Sequence, residues 1–158
     1  MTGSSLGLDL GEKRVGVALA GAGDLSARPL VTIPRGASLD EDVTRLEALV
    51  RRHGVTSLVV GLPLDANGDH GPMAIAAGTW AAALGERLGL PVALRDERLS
   101  SHRAEERLGP MPRGRSGGPP SPTQRTRYRE RVDREAAAII LQDELDAGRV
   151  ASPRPGVA

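Results

Sequence analysis

Apolar residues in the first part of the chain come in three short runs, each with the length of a β-strand. The runs cover residues 6–8, 15–19 and about 29–33. Gly-Glu-Lys-Arg at positions 11–14 joins the first two, and its length and composition are typical of an antiparallel hairpin. The pattern therefore predicts three antiparallel strands at the beginning of the chain.

The remainder alternates between a helical period and short, continuous apolar runs. Helices are predicted over residues 40–52, 72–88, 101–108 and about 127–147, with Ser101 capping the third, and strands over 57–61 and 91–95. Gly, Pro and Ser dominate residues 109–126, which predicts a flexible loop. The order of elements predicts an α/β fold with three layers, in which helices flank a mixed five-stranded sheet.

The length of 158 residues favours one domain over residues 1–150, followed by a disordered tail over residues 151–158. The chain has no Cys, which excludes disulfides and thiolate metal sites. An export signal is not apparent, nor is an apolar run of about 18 residues, so we expect a cytoplasmic protein without a membrane partner. Trp80 and Tyr128 are the only aromatic residues, which disfavours a sheet that stacks RNA bases.

The net charge of +1 conceals a basic segment in the middle of the chain. Residues 95–134 carry eleven Arg and six acidic residues, whereas both flanking parts are net acidic. Arg binds phosphate in a bidentate manner and stays charged at any working pH, so a polyanion is the expected partner. Biased codon usage explains the twenty Arg against a single Lys, but it does not explain this clustering.

Three carboxylates from distant segments are candidates for a common site. Asp9 ends the first strand, Glu97 follows the last strand, and Asp133 is expected near the start of the fourth helix, beside the core-facing Val132. Asp9 alone permits two interpretations, a functional carboxylate or a turn former that bonds its own backbone. Asp96 is expected to point to the opposite face from Glu97, because side chains alternate along a strand.

Clustered carboxylates repel one another unless one is protonated or a cation binds between them. Oxygen ligands alone favour Mg²⁺ or Mn²⁺. Two such ions, about 3.5–4 Å apart, activate water and stabilise the leaving oxygen during hydrolysis of a phosphodiester. A two-metal nuclease needs no nucleophile from the protein.

Four segments occur in an order that is similar to one known family. They are Leu-Asp-Leu-Gly-Glu-Lys-Arg-Val-Gly-Val-Ala at 8–18, Val-Val-Gly-Leu-Pro at 59–63, Asp-Glu-Arg-Leu-Ser at 96–100 and Val-Asp-Arg-Glu-Ala-Ala at 132–137. Together they resemble the YqgF/RuvX family of pre-16S rRNA nucleases, also described as Holliday junction resolvase-like. The resemblance extends over about residues 6–145 and implies an RNase H-like fold.

The resemblance also implies roles for individual residues. Asp9, Glu97 and Asp133 match the family's acidic, metal-binding and catalytic triad, and either Arg129 or Arg131 matches a basic residue before the helix acid. Ala136 stands where related resolvases carry a further acid, so three acids are expected. The segment between Glu97 and Asp133 is longer and richer in Gly and Pro than the family pattern, which leaves its substrate preference open. Further candidate phosphate contacts are Lys13, Arg14, Arg98, Arg113 and Arg115.

The leading hypothesis is a metal-dependent nuclease that matures the 5′ end of 16S rRNA within a precursor ribosomal particle. One alternative is a resolvase of four-way DNA junctions, which would need a dimer with two symmetric sites. A monomer and a homodimer both remain open. A second alternative is a catalytically silent module that binds nucleic acid through its Arg-rich loop. The Asp-x-Gly hairpin also opens the nucleotide-binding half of actin-like kinases, but this chain is too short for their second lobe.

Overall fold

The computed structural model of the protein describes residues 3–151, and of residues 149–151 only the backbone. Five strands and four helices are found within this range. In chain order they are β1 (Ser4–Leu10), β2 (Arg14–Ala20), β3 (Arg28–Pro34), α1 (Leu39–His53), β4 (Val55–Leu62), α2 (Pro72–Leu88), β5 (Val92–Asp96), α3 (Ser100–Leu108) and α4 (Pro122–Ala151). Every strand and helix predicted from the sequence is present.

The strands form one mixed sheet in the order β3-β2-β1-β4-β5. The β1–β2 and β2–β3 pairs are antiparallel, whereas β1–β4 and β4–β5 are parallel. Two cross-strand pairs position the site: Asp9 of β1 lies opposite Gly16 of β2, and Leu8 of β1 lies opposite Val60 of β4. The predicted sheet, with three antiparallel strands followed by strand–helix units, is confirmed.

Helices cover both faces of the sheet, which gives the predicted three layers. Leu6, Leu8 and Leu10 point from β1 into a core that α1 and α2 complete. Because side chains alternate along a strand, Gly7 and Asp9 face the other way, towards α4. On that second face Ala18 and Val59 pack against Ala137, Ile140 and Leu141 of α4, and α3 packs on α4 through Ala104.

Helix α4 lies unusually close to β1 and β2 because glycines face it. A Cβ atom on Gly7 would stand 2.6 Å from the carbonyl oxygen of Ala137, and a Cβ on Gly16 would overlap the backbone of Asp133. Real Cβ contacts are essentially never this short, so any side chain at either position would push α4 off the sheet. The two glycines therefore fix where the backbone of Asp133 lies.

The predicted boundary between loop and fourth helix is wrong. Helix α4 begins at Pro122, so the loop covers residues 109–121, and Asp133 lies inside α4, three turns after its start. Ser121 Oγ accepts the N–H of Gln124 at 3.1 Å, and Gln124 Oε1 accepts the N–H of Ser121 at 2.8 Å. This capping box, with Pro at the first helical position, stabilises a helix start within a segment whose composition predicted a loop.

The 109–121 loop is anchored at both ends. Tyr128, one and a half turns into α4, donates its hydroxyl to the carbonyl oxygen of Gly109 at 2.7 Å.

The predicted cap of α3 is wrong as well, because α3 starts at Ser100 and no side chain caps it. The predicted disordered tail, 151–158, lies outside the described residues except for Ala151, where α4 ends.

No helix within residues 3–151 is long and apolar enough to cross a membrane. The predicted cytoplasmic location and the single domain over residues 1–150 stay predictions.

Replacing Gly16 with Ala is expected to destabilise the fold, since its Cβ would displace α4 at Asp133. Overpacking of this kind costs about 1–3 kcal/mol of the free energy of unfolding. Urea unfolding measures the loss. The matched control is Gly118→Ala in the loop, where a Cβ meets nothing within 4 Å and the free energy should hardly change. Equal effects of the two substitutions would show that α4 does not depend on Gly16.

Candidate active site

Asp9 is the first component of the site and lies near the carboxyl end of β1. Its side chain is on the face covered by α4, opposite Gly16 of β2. The strand position therefore explains its direction, and Asp9 is not a turn residue that bonds to its own backbone. Its side chain is hydrogen-bonded to Glu97.

Glu97 follows β5 and reaches back under the end of β4. Its backbone N–H donates to the carbonyl oxygen of Leu62 at 3.0 Å, which continues the parallel pairing by one residue. A Cβ on Gly61 would stand 2.8 Å from Glu97 Oε2, so the glycine leaves the space that this carboxyl group occupies. Ser100 donates its hydroxyl to Glu97 Oε2 at 3.2 Å.

Asp9 and Glu97 share a hydrogen bond and compete for one proton. The pKa of Asp9 is raised to about 6 in total. Burial is the largest cause, the hydrogen bond with Glu97 acts in the opposite direction, and the negative charge of Asp133 raises the pKa further. Burial also raises the pKa of Glu97, to about 9, and the negative charge of Asp9 adds to this shift. Near neutral pH, Glu97 is therefore the protonated member and donates to the Asp9 carboxylate.

Asp133 is near this pair but faces another group. Arg14 Nε, at the start of β2, donates to Asp133 Oδ2 at 2.7 Å, and both side chains are about one quarter exposed. Within residues 3–151 no three acidic or histidine side chains stand close enough together to hold a metal ion. The structure thus brings Asp9 and Glu97 into contact, and it places Asp133 beside them in an ion pair.

The chemistry of these residues fits a hard divalent cation. All candidate ligands are carboxylate oxygens, which Mg²⁺ and Mn²⁺ prefer. A proton now holds the Asp9–Glu97 pair together, and a cation replacing that proton would relieve the same repulsion. For Asp133 to be a third ligand, its side chain would have to turn from Arg14.

The predicted phosphate contacts lie in three different places. Arg14 touches Asp133, whereas Lys13 is exposed in the adjacent turn. Arg98 is held by Asp96, which accepts its Nε at 2.8 Å and its backbone N–H at 3.0 Å, and these bonds lower the pKa of Asp96. The remaining four are exposed in the loop or the first half of α4: Arg113, Arg115, Arg129 and Arg131.

The sequence did not single out Ser100 as a contributor to the site, and for Arg14 it did not predict the partner. The sequence predicts a helix cap at Ser101, whereas it is Ser100 that is buried and bonded to Glu97. The sequence predicts that Arg14 contacts a phosphate of the substrate, whereas its partner in the structure is Asp133, 119 positions away. For Gly61 the signal was present, because a glycine inside an apolar strand marks a close approach.

Half-buried carboxyl groups at the carboxyl end of β1 and directly after β5, on a mixed sheet in the order β3-β2-β1-β4-β5, form an arrangement of the RNase H-like class. The RuvC of T. thermophilus, solved in complex with a Holliday junction substrate, has a similar fold with a TM-score of 0.55 and 16% sequence identity. The similarity covers 94% of this chain and 97% of that one. At this identity the comparison establishes the fold.

The family is shown by the sequence itself. The model of the RuvX family, described as Holliday junction resolvase, matches residues 3–147, and the chain belongs to that family. A Gluconobacter oxydans protein named "Putative pre-16S rRNA nuclease" is 43% identical over 94% of this chain and 86% of its own length. A Chloroflexus aggregans protein of the same name is 42% identical over 91% of this chain and 94% of its own. The resemblance and the nuclease class expected from the sequence are confirmed.

We expect the metal-free protein to lose stability as the pH rises. Asp9 and Glu97 have raised pKa values in the folded state, so the folded protein binds more protons than the unfolded chain above their ordinary values. Their favourable contribution is complete at lower pH and lost as the pH rises towards about 9. The slope is up to about 1.4 kcal/mol per pH unit for each proton. Urea unfolding with a chelator present, between about pH 5 and pH 8, measures it.

Glu97→Gln should flatten this dependence, because the amide keeps a donor for Asp9 and has no proton to lose. The matched control is Glu86→Gln on the exposed side of α2, which should leave the slope unchanged. A metal-free wild type whose stability is flat over this range would contradict the shared proton.

Proposed function

We propose that this protein is a metal-dependent phosphodiesterase that processes the 5′ end of pre-16S rRNA. The observation that carries the proposal is the contact between the half-buried carboxyl groups of Asp9 and Glu97, with the charge of Asp133 beside them. A fold has no structural need for two carboxyl groups in contact and largely shielded from water, because removing them from water costs free energy. The names of the relatives from Gluconobacter and Chloroflexus support precursor rRNA as the substrate.

Asp9, Glu97 and Asp133 are the residues that would hold Mg²⁺ or Mn²⁺. When bound, such ions supply an activated water and a positive charge for the leaving oxygen of the phosphodiester. The chain's own part is to aim the carboxylates. Gly61 leaves room for Glu97, Gly16 seats α4 at Asp133, and the Ser100 hydroxyl orients Glu97.

An arginine surface next to this site provides the contact with nucleic acid. We define it as the exposed arginines of the loop and the first half of α4: Arg113, Arg115, Arg125, Arg127, Arg129 and Arg131. No ion pair to a carboxylate is found for any of them in the described part of the chain, whereas Arg95, Arg103 and Arg107 are all paired. Unneutralised arginines attract phosphates and release counterions when they bind them.

Helical geometry distinguishes the two arginines that the sequence left equivalent. Arg129 precedes Asp133 by four positions and so lies one turn away on the same face of α4. Arg131 precedes it by two positions and points to a different side. Arg129 is therefore the better candidate for a phosphate next to the cleaved bond.

Resolution of four-way DNA junctions is the second candidate function. The description of the matching family as Holliday junction resolvase favours it. A junction has two-fold symmetry, so this function needs two copies of the site related by the same symmetry. The two candidates share one reaction, hydrolysis of a phosphodiester, and differ in the nucleic acid and the assembly.

Cleavage assays on two end-labelled substrates test the proposal. We expect wild-type protein to cut a 16S precursor leader RNA with Mg²⁺ or Mn²⁺ and to be inactive with a chelator. Asp9→Asn should lose more than about a hundredfold in rate, since even partners of metal ligands contribute 10–100-fold. Symmetric cuts in a synthetic four-way DNA junction, with the RNA intact, would instead support the resolvase.

Binding measurements on the same samples separate a nuclease from a silent module. Asp9→Asn should still bind RNA, because the arginine surface is unaffected. If wild type binds but cuts neither substrate under any metal condition, also when precursor ribosomal particles are supplied, the catalytic proposal fails.

The arginine surface is expected to bind RNA through its phosphates. Arg129→Ala should weaken RNA binding and reduce the slope of log affinity against log salt by about 1, as expected for one lost phosphate contact. Fluorescence anisotropy over a salt series measures both quantities. Arg107→Ala is the matched control, because Arg107 is already paired with Glu135. Indistinguishable slopes for the two variants would remove Arg129 from the interface.

A further inference from the structure

The ion pair between Arg14 and Asp133 joins the beginning of β2 to the middle of α4. Its Nε–Oδ2 distance is 2.7 Å, and each side chain is about three quarters covered. Most other ion pairs of the described chain lie further out, with at least one partner more than a third exposed. This short, partly covered ion pair therefore engages Asp133, which is a candidate metal ligand.

The backbone of Asp133 cannot move to meet the other acids. Its carbonyl group lies against Gly16 of β2, where not even a Cβ atom would fit. Only the side chain of Asp133 can change its direction, by rotation about its two torsions. Whether Asp133 faces Arg14 or the Asp9–Glu97 pair is therefore decided by side-chain partners.

Arg14 keeps the ligand set incomplete in this conformation. Asp9 and Glu97 are in contact, but no group of three acids in residues 3–151 stands close enough to hold an ion. The arginine gives Asp133 an alternative positive partner. A metal ion entering the site must compete with that partner.

Arg14 also has donors to offer to a substrate. Only its Nε is engaged with the protein in the described residues, which leaves the terminal Nη groups for another acceptor. A guanidinium binds phosphate with two parallel hydrogen bonds, and a phosphate diester carries a full negative charge. A phosphate that takes Nε together with one terminal nitrogen in such a bidentate contact competes with Asp133 for Arg14.

We propose that Arg14 acts as a latch on Asp133, and that a phosphate of the nucleic acid releases it. With Arg14 transferred to the phosphate, Asp133 turns to Asp9 and Glu97 and completes the metal ligands. Metal and nucleic acid then bind cooperatively, and the free protein holds its metal weakly. Arg14 is a positioning residue here, and this inference rests on the proposed metal-dependent function.

Binding of Mn²⁺ tests the latch without reference to activity. The electron paramagnetic resonance signal of free Mn²⁺ gives its Kd for wild type and for Arg14→Gln. We expect Arg14→Gln to bind Mn²⁺ about tenfold more tightly than wild type when no RNA is present, a typical size for such coupling. A phosphorothioate-backbone RNA hairpin should tighten binding to wild type by a similar factor and to Arg14→Gln by little.

Arg14→Gln also removes one positive charge near the site, which by itself strengthens the binding of a cation. Lys13→Gln controls for this effect of charge. Lys13 is the neighbouring, exposed residue and carries the same charge. We expect it to change the Kd for Mn²⁺ by less than about twofold, since exposed charges are well screened. Asp9→Asn, with and without the hairpin, identifies Mn²⁺ bound elsewhere or to the RNA.

The reciprocal measurement uses wild type only and does not depend on how a variant folds. Linkage requires Mn²⁺ to tighten RNA binding by the same factor by which RNA tightens Mn²⁺ binding. The latch is overturned if Arg14→Gln binds Mn²⁺ no better than wild type, if Lys13→Gln reproduces its effect, or if wild type shows no coupling. Absence of Asp9-dependent Mn²⁺ binding, with or without RNA, would instead refute the proposed metal site.

Discussion

The close approach of α4 to the β1–β2 hairpin is the constraint on which the rest of the structure depends. Gly7 and Gly16 bring the helix backbone into direct contact with the strands, so the position of Asp133 relative to Asp9 is set by main-chain geometry. The pairing of Asp9 with Gly16 places the acid and the contact at the same level of the sheet. Site and core are thus built by the same few residues.

Electrostatics at the site follows from that packing. The core brings Asp9 and Glu97 together at a depth where two charges are unfavourable, and a proton takes up the repulsion. Asp133, which lies beside this pair, is neutralised by Arg14 instead. The Asp9–Glu97 pair is neutralised by a proton and Asp133 by a guanidinium, and another positive group can replace either of them. In the proposed function, a metal ion would take the place of these partners.

Local patterns in the sequence were sufficient for the sheet and for the acids. The order of apolar runs predicted the five strands, and Asp9 and Glu97 were expected where two of these strands end. The start of α4 was placed too late because Gly and Pro content outweighed the capping box formed by Ser121 and Gln124. The pairing of Arg14 with Asp133 was beyond local patterns, since it depends on strand register and helix seating.

The hydrogen bond between Tyr128 and the Gly109 carbonyl closes the base of the 109–121 loop. Behind this closure α3 and α4 already pack through Ala104, Val132 and Ala136, so the helices do not need the loop to hold them. Lengthening a closed loop costs little, about 0.6 kcal/mol for each doubling. The loop can therefore be lengthened, shortened or recomposed while the acids keep their places. If the loop selects the substrate as proposed, evolution can exchange that surface without rebuilding the site of the acids.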